Sequence, residues 1–263
     1  MKKGFIMLLT SLMMLLSCTA FAATDLSGGT IQADGYGLLG QTAPMGYRAA
    51  IVDAQRNLLE QVKGAQVTAD TTVENMVVAS DVIRSRVSGL VRGAKVILKE
   101  KTVDGYHVVL EMPIYGAGSL AETALSQAAL TSAGVPQTLP YYGAPVQAQP
   151  AGPATGGYTG VIVDCSGMGL DTAMAPAIFT PDHQVVYGLE SFSRSQAVNS
   201  GYVGYAKSPY SGVDRAGNNP LIVRAVAIDR YVSPVISTAD AGRILAENQL
   251  SGFFAQGKVV FVR

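Results

Sequence analysis

The sequence feature that most constrains the fold is a long amphipathic helix pattern over residues 44–64. Apolar residues recur there at three- and four-residue intervals and so share one face of a helix: Tyr47, Ile51, Ala54, Leu58 and Val62. Pro44 suits the first turn of such a helix, since its missing N–H has no intrahelical partner at that position. A helix with one apolar face must bury that face. We therefore predict that it packs against strands formed by residues 94–114.

The composition is that of a folded protein with no electrostatic preference for nucleic acid. The 263 residues include 19 basic and 19 acidic side chains, which gives a formal net charge of zero. Nucleic-acid binding rests on a basic surface, so we expect no nucleic-acid partner. Charged residues make up only 14% of the chain and the mean hydropathy is +0.26, which excludes a solvated disordered chain.

The first 22 residues have the organisation of an export signal. Lys2 and Lys3 form a positive region, residues 5–16 form an apolar run, and Ala20-Phe21-Ala22 is an A-x-A cleavage site. The apolar run is short for a membrane span. We therefore predict a signal peptide over residues 1–22 and an exported protein, located in the periplasm or on the periplasmic face of the outer membrane.

Lipidation at Cys18 is the alternative to cleavage after Ala22. Residues 15–18 read Leu-Leu-Ser-Cys, which approximates a lipobox, although Leu16 is unusual in the middle of that motif. Cleavage before Cys18 would attach the protein to the outer membrane. Cleavage after Ala22 would leave Cys165 as the one remaining thiol, with no partner for an internal disulfide. We expect that thiol to be buried.

A glycine-rich segment precedes the long helix and permits two interpretations. Residues 30–33 can form a short strand, and Gly35, Gly37 and Gly40 then follow the G-x-G-x-x-G spacing of dinucleotide-binding loops. That loop requires a repeating β-α-β pattern and an acidic residue at a strand end about 20 residues on. Here Glu60 has that spacing but lies inside the helix pattern. We therefore favour a glycine-rich turn that leads into the helix, and residues 23–29 before it read as a mobile polar segment.

The rest of the first half mixes strands and helices. Residues 65–69 alternate like a strand, and residues 71–91 read as helical pieces. Two strand patterns, 94–103 and 106–114, flank Asp104-Gly105, which predicts a hairpin with a type I′ turn. An alanine-rich helix is expected over residues 119–130, where Ser119 and Glu122 have capping-box spacing.

A proline-rich segment divides the chain. Residues 133–158 contain five prolines among Gln, Ala and Gly, as is typical of an extended linker. The predicted domains are therefore residues 30–132 and residues 159–263. We predict an α+β protein in which each domain is an antiparallel or mixed sheet packed with one or two helices.

The second domain follows the same pattern of short strands and one clear helix. Strands are predicted at residues 159–164, 221–228 and 258–262, with a hairpin around Pro181-Asp182-His183. Residues 237–248 read as a helix capped by Ser237 or Thr238. The apolar run at 221–228 favours a central strand.

The residues that could carry chemistry are few and scattered. Asp164, Cys165 and His183 could form a Cys-His-Asp set, because a strand end and a hairpin lie near each other in the sequence. Five aspartates lack the close spacing of a calcium loop: Asp164, Asp171, Asp182, Asp214 and Asp229. His107 lies near the predicted turn on a sheet face, without a metal-binding pattern around it. We predict no catalytic, cofactor or metal site.

Residues 30–115 resemble a known domain of bacterial envelope proteins. The glycine-rich strand end, the helix YRAAIVDAQRNLLEQVKG and the Asp-Gly hairpin are similar to the LPP-twenty-type lipoprotein domain. That domain occurs in small outer-membrane lipoproteins and in the flagellar accessory proteins FlgP and FlgT. The segment VIVDCSGMGLDTAMAPAIFTPDHQVVYG resembles a domain that accompanies it in exported proteins. The resemblance implies a non-enzymatic role in the envelope, including rings around the flagellar motor.

These observations favour a structural or assembly protein of the bacterial envelope over an enzyme. Its expected partners are copies of itself or other envelope proteins, and flagellar association is one version of that role. A cell-wall-binding module is the first alternative, although the sequence contains no clear motif for it. A thiol-dependent hydrolase that uses Cys165 is the second and weaker alternative.

Overall fold

A computed structural model describes residues 24–40, 42–135 and 154–263, and these form an α+β protein as predicted. The first half contains β1 (Thr30–Leu38), α1 (Ala43–Gly64), β2 (Gln66–Thr68), β3 (Thr71–Thr72), α2 (Val73–Ala79), α3 (Asp81–Arg92), β4 (Lys95–Lys101), β5 (Gly105–Pro113), α4 (Leu120–Ala124) and α5 (Gln127–Ser132). The second half contains β6 (Gly160–Asp164), β7 (Ile178–Phe179), β8 (Val185–Tyr187), α6 (Arg194–Ser200), β9 (Gly204–Ala206), a 3₁₀ turn (Asp214–Ala216), β10 (Pro220–Asp229), β11 (Ser233–Ile236), α7 (Thr238–Ser251) and β12 (Val259–Val262).

The first sheet is antiparallel, with strand order β1-β5-β4, and α1 packs across its inner face. Val108, Leu110 and Met112 of β5 point inward and are buried, as the alternation in the sequence predicts. The β4–β5 hairpin is confirmed, but the prediction of a type I′ turn at Asp104-Gly105 is wrong. Thr102 N donates to Gly105 O, and Asp104 does not have the positive φ that a type I′ turn requires.

The glycine motif lies inside β1 rather than in a turn, which overturns both interpretations of Gly35 and Gly37. A Cβ on Gly35 would lie 2.2 Å from the carbonyl oxygen of Ala50 and 2.2 Å from the amide nitrogen of Ala54. A Cβ on Gly37 would lie 2.1 Å from the carbonyl oxygen of Gly46. The glycines therefore let the α1 backbone lie directly on the strand, and that contact leaves no room for a pyrophosphate.

The same contact occupies part of the outer edge of β1. Asn57 Nδ2 of α1 donates to Asp34 O at 2.8 Å, and Tyr36 N donates to Asp53 Oδ2 at 3.1 Å. An edge strand normally leaves its outer amide and carbonyl groups open to another chain. Side chains of α1 bind two of these groups on β1, whereas β4, at the other edge of the sheet, has no strand on its outer side among the described residues.

The predicted helix over residues 119–130 is broken into two short helices. Ser119 Oγ accepts from Glu122 N at the start of α4, as predicted. Ser126 has an extended backbone and its Oγ accepts from Ala129 N, so it caps a new helix rather than continuing the first. Serine competes for backbone hydrogen bonds in this way, and this ends α4 near Leu125.

The second sheet is mixed and has the strand order β8-β7-β11-β10-β6-β12-β9 within residues 154–263. The pairs β10–β6, β6–β12, β12–β9 and β11–β7 are parallel, whereas β10–β11 and β7–β8 are antiparallel. The predicted strands β6, β10 and β12, the hairpin around His183 and helix α7 are all present. The central position of β10 is also confirmed.

The two halves pack against each other along a continuous seam. Met174 N and Ala175 N donate to Gln66 O and Val67 O, so β2 pairs with the second half. The segment before β1, which was expected to be mobile, is part of this seam. Leu26 is 1% exposed, and its N–H donates to Thr172 Oγ1 at 2.9 Å. Buried residues of both halves consequently form one hydrophobic cluster.

The predicted linker lies mostly outside the described residues, which stop at Val135 and resume at Ala154. Where the chain resumes, the buried carboxylate of Glu247 on α7 accepts from Thr155 N and Gly156 N. The predicted domain boundaries, 30–132 and 159–263, remain predictions.

None of the helices in the described ranges combines the length and the apolar character that a bilayer crossing requires.

The close contact between β1 and α1 yields a stability prediction. We expect Gly35→Ala to lower the free energy of unfolding by about 3 kcal/mol, because the added methyl group would meet helix backbone that cannot move aside independently. Urea unfolding of the purified chain measures this change.

Gly89 in α3 provides the matched control, because an added Cβ there meets no atom within 4 Å. Gly89→Ala should raise stability by about 0.5–1 kcal/mol through the lower helix propensity of glycine. Equal stability of Gly35→Ala and the wild type would show that the strand–helix contact is looser than described.

Candidate functional site

A cavity of about 650 Å³ lies at the seam between the two halves. Residues from three turns and one helix end line it: the β2–β3 turn, the end of α5, the β7–β8 hairpin and the β10–β11 turn. The lining residues are Thr68, Ala69, Asp70, Thr71, Ala133, Gly134, Val135, Ala175, Ala177, Phe179, Asp182, His183, Val185, Leu189, Asp229, Arg230 and Ser233. The volume falls in the range of pockets that hold small organic ligands.

The buried part of the cavity lining is mostly apolar, with Thr71 and Ser233 as its polar members, and the exposed part is charged. Val135, Ala175 and Leu189 are each less than 10% exposed, whereas the side chains of Asp70 and Arg230 are 66% and 57% exposed. Arg230 forms an ion pair with Asp70 across the seam. This ion pair spans the mouth of the cavity and connects the two halves of the molecule.

Three polar side chains at the cavity, those of Asp182, Asp229 and Thr71, form no ion pair or hydrogen bond within the described residues. Asp182 and Asp229 make no side-chain hydrogen bond or ion pair within the described ranges, and His183 packs edge-on to Phe179 with ring centroids 6.5 Å apart. Thr71 is only 5% exposed, and its hydroxyl has no hydrogen-bond partner in the part of the chain that is described. The hydroxyl oxygen is not among the enclosed polar atoms that lack a partner, so it is accessible from the cavity, where a polar ligand could reach it.

Two of the turns that line the cavity contain strained backbone. His183 has φ 55°, and Arg230 and Tyr231 have φ 45° and 66°. The last two are the central residues of a turn in which Val232 N donates to Asp229 O. Positive φ is unfavourable for residues other than glycine. Since neither residue is typical of such a turn, no local sequence pattern predicted the turn, and strand β11 after it was not predicted either.

The structure separates the residues of the proposed Cys-His-Asp set. The Cys165 thiol is fully buried, and Sγ contacts Val163 O at 3.7 Å. The carboxylate of Asp164 accepts from Ser166 and from Arg224, and the hydrogen bonds from Ser166 lower its pKa. His183 lies at the mouth of the cavity instead. Burial, followed by the nearby charge of Asp164, raises the pKa of the Cys165 thiol to about 12.

The other predicted site residues do not converge on a metal or cofactor site. The residues that the structure describes contain no group of three or more His, Cys, Asp or Glu side chains arranged to hold a metal ion. Of the five scattered aspartates, Asp182 and Asp229 come together at the cavity, which sequence spacing could not indicate. Cys18, the residue for lipidation, lies outside the described residues.

His107 forms an electrostatic cluster on the outer face of the first sheet. Its Nδ1 lies 3.0 Å from Glu100 Oε1 on β4, and its Nε2 lies 2.8 Å from Asp34 Oδ1 on β1. The ring also stacks on Tyr36, with centroids 4.8 Å apart. The hydrogen bonds from Glu100 and then Asp34 raise the pKa of His107. The ring therefore links all three strands of the sheet, and both of its nitrogens donate to carboxylates when it is protonated.

The second candidate surface is the open edge formed by β4. All seven residues of β4 are exposed, and β5 is the neighbour to which the described part of the chain pairs it. Val96, Ile97 and Leu98 are 41%, 41% and 39% exposed, and Ile97 is the bulged residue that the pairing with β5 skips. An open strand with consecutive apolar residues is a site for pairing with another chain.

The fold and these surfaces define a class of protein: an α+β protein whose three-stranded and seven-stranded sheets share one core, with a cavity at the seam and an exposed strand edge. One known family matches part of it. Residues 160–263, which form the second sheet with α6 and α7, match the family model for the second domain of Treponema pallidum Tp0624. The match covers less than half of the chain. No curated protein matches the chain.

The buried thiol provides a chemical prediction for a chain that begins at Ala23. With its pKa raised from 9.0 to about 12, Cys165 should be alkylated about a thousandfold more slowly than an ordinary thiol near neutral pH. Mass spectrometry of iodoacetamide-treated protein, with and without denaturant, measures this difference. Rapid alkylation of the native protein would restore Cys165 as a candidate nucleophile.

The His107 cluster predicts a specific pH dependence of stability. Since the folded-state pKa is raised above the ordinary value of 6.5, the cluster stabilises the fold fully below about pH 6.5. That contribution is lost as the pH rises through the raised pKa. The difference in unfolding free energy between wild type and His107→Gln should therefore shrink from about pH 5 to about pH 9, as measured by urea unfolding.

The carboxylates provide the control for this measurement. The double variant Asp34→Asn with Glu100→Gln keeps the imidazole but removes both charged acceptors. It should lose the same pH-dependent component as His107→Gln. A difference from wild type that instead grows with pH would contradict the assignment of a protonated ring in the folded state.

Proposed function

We propose that this protein is a non-enzymatic, exported protein of the bacterial envelope with a structural or assembly role. It acts through contacts with copies of itself or with other envelope proteins. The export-type sequence of residues 1–22 supports the location, and the resemblance of residues 30–115 to LPP-twenty-type domains supports the role. The similarity of residues 160–263 to a domain of a Treponema pallidum protein supports a bacterial origin.

The observation that carries this proposal is the open edge of β4. At the opposite edge of the sheet, side chains of α1 bind Tyr36 N and Asp34 O, whereas β4 has no strand on its outer side among the described residues. The β4 edge presents three adjacent apolar side chains, and exposed Leu38 and Val103 lie nearby at the end of the β4–β5 hairpin. A surface of this kind suits strand addition by a protein partner.

The proposal of a non-enzymatic role rests on the state of the candidate nucleophile. A thiol acts as a nucleophile in its thiolate form and needs a base within hydrogen-bond reach. Cys165 is buried, its pKa is raised, and its sulfur contacts a backbone carbonyl rather than His183. The alternative of a thiol-dependent hydrolase therefore has no geometric support.

The β4 edge predicts the effect of one substitution on assembly. Ile97→Lys should weaken association at least about tenfold, because it places a charge where a partner strand would exclude water. The fold should be unaffected, since Ile97 sits in a bulge and is 41% exposed. Sedimentation velocity measures self-association. A photo-crosslinking amino acid at position 97 in cells measures contact with other envelope proteins.

Val78 on α2 supplies the matched control, since it is also exposed and apolar but lies away from β4. Val78→Lys should leave both measurements unchanged. A protein that stays monomeric at high concentration and gives no crosslink from position 97 would falsify the assembly role. The mass of the mature N-terminus tests the export step, because it distinguishes cleavage after Ala22 from a lipid on Cys18.

A further inference from the structure

We propose that the cavity at the seam binds a small organic cation, namely an ammonium group carried on a compact apolar body. This inference is independent of the assembly role, because the cavity and the β4 edge share no residues. It rests on three properties of the cavity: the apolar side chains in the buried part of its lining, the sign of its unbalanced charge, and the hydroxyl group of the buried residue Thr71, which has no hydrogen-bond partner among the described residues.

The buried apolar side chains of the lining favour a ligand that carries a hydrophobic group. Alanine, valine and leucine side chains that are almost fully buried line the cavity, and Phe179 contributes one aromatic ring. A volume of about 650 Å³ is large enough for a compact organic molecule. A fully hydrated inorganic ion would gain nothing from these walls. The cavity therefore favours a ligand with a hydrophobic group.

The charges at the cavity determine the sign of the ligand. Three carboxylates, one guanidinium and the His183 imidazole line it, and Arg230 is already paired with Asp70. Asp182 and Asp229 are left without counter-ions among the residues described. An anion would meet two unbalanced carboxylates, whereas an ammonium group would form charge-assisted hydrogen bonds with them. The face of Phe179 is also attractive to a cation.

Thr71 supplies the buried polar contact. Its side chain is almost completely buried and lines the cavity, and its hydroxyl is not used by the described part of the fold. A hydroxyl oxygen can accept a hydrogen bond from an ammonium group. Together with Asp229, which is partly buried, it would provide two acceptors from opposite halves of the molecule.

The test uses phenethylamine as the probe and isothermal titration calorimetry on the full mature protein. Phenethyl alcohol and 3-phenylpropionate are the matched neutral and anionic compounds. We expect phenethylamine to bind at least about tenfold more tightly than phenethyl alcohol, with 3-phenylpropionate the weakest of the three. The affinity of the amine should also fall with added salt.

Three variants locate the binding site. Asp229→Asn should weaken phenethylamine binding about tenfold and leave phenethyl alcohol unaffected. Thr71→Val should weaken amine binding without loss of thermal stability, because the hydroxyl makes no contact in the fold. Asp104→Asn, an exposed carboxylate at the tip of the β4–β5 hairpin, is the control and should bind like the wild type.

The outcomes that would overturn the proposal are equally defined. They are no heat of binding with phenethylamine, equal affinity for all three compounds, or an effect of Asp104→Asn as large as that of Asp229→Asn. None of these results bears on β4, so the proposal of an assembly role would stand or fall on its own experiments.

Discussion

The direct contact between the backbones of β1 and α1 is the constraint on which the first half depends. Gly35 and Gly37 remove the side chains that would separate strand and helix, and Gly46, Ala50 and Ala54 keep the helix face equally flat. At this short distance α1 can reach around the strand with Asp53 and Asn57. The packing of α1 thus occupies backbone groups at the β1 edge of the sheet, whereas every residue of β4 at the other edge is exposed.

A second constraint is the seam, where small backbone contacts join two halves that each have a sheet of their own. β2 pairs with residues 173–175, and the segment before β1 inserts Leu26 into the common core. Turns from both halves meet beside this pairing but do not fill the space between them. The cavity is therefore a property of the assembled chain, and neither half could form it alone.

Local patterns predicted most of the secondary structure because they record burial. The stripe of α1, the alternation in β5 and the apolar strands β6, β10 and β12 each follow from one buried face. The buried face of α1 differs slightly from the predicted one: Gly46 and Ala50 are buried, whereas Tyr47 and Ile51 are only partly buried. The lone thiol of Cys165 was correctly expected to be buried.

The failures have a common physical origin in residues whose role depends on distant neighbours. Gly35 and Gly37 resemble turn residues in isolation, and only the position of α1 explains them as strand residues. Arg230 and Tyr231 are poor candidates for a tight turn, so β11 could not be foreseen. Asp182 and Asp229 are far apart in sequence, and the sheet order brings them to one cavity.

The segment before β1 also bears on how the molecule would sit in the cell. Thr24 Oγ1 donates to Gln61 O, and Asp25 forms an ion pair with Arg263, so the fold is fixed from Thr24 onward. A lipid on Cys18 would be six residues away, a reach of at most about 20 Å. In the membrane-attached form, Thr24 would therefore stay within about 20 Å of the lipid, and the neighbouring Asp25–Arg263 pair would lie close to the bilayer. The cleaved form would have no such limit, so the processing of a few residues would decide how far this side of the molecule can lie from the bilayer.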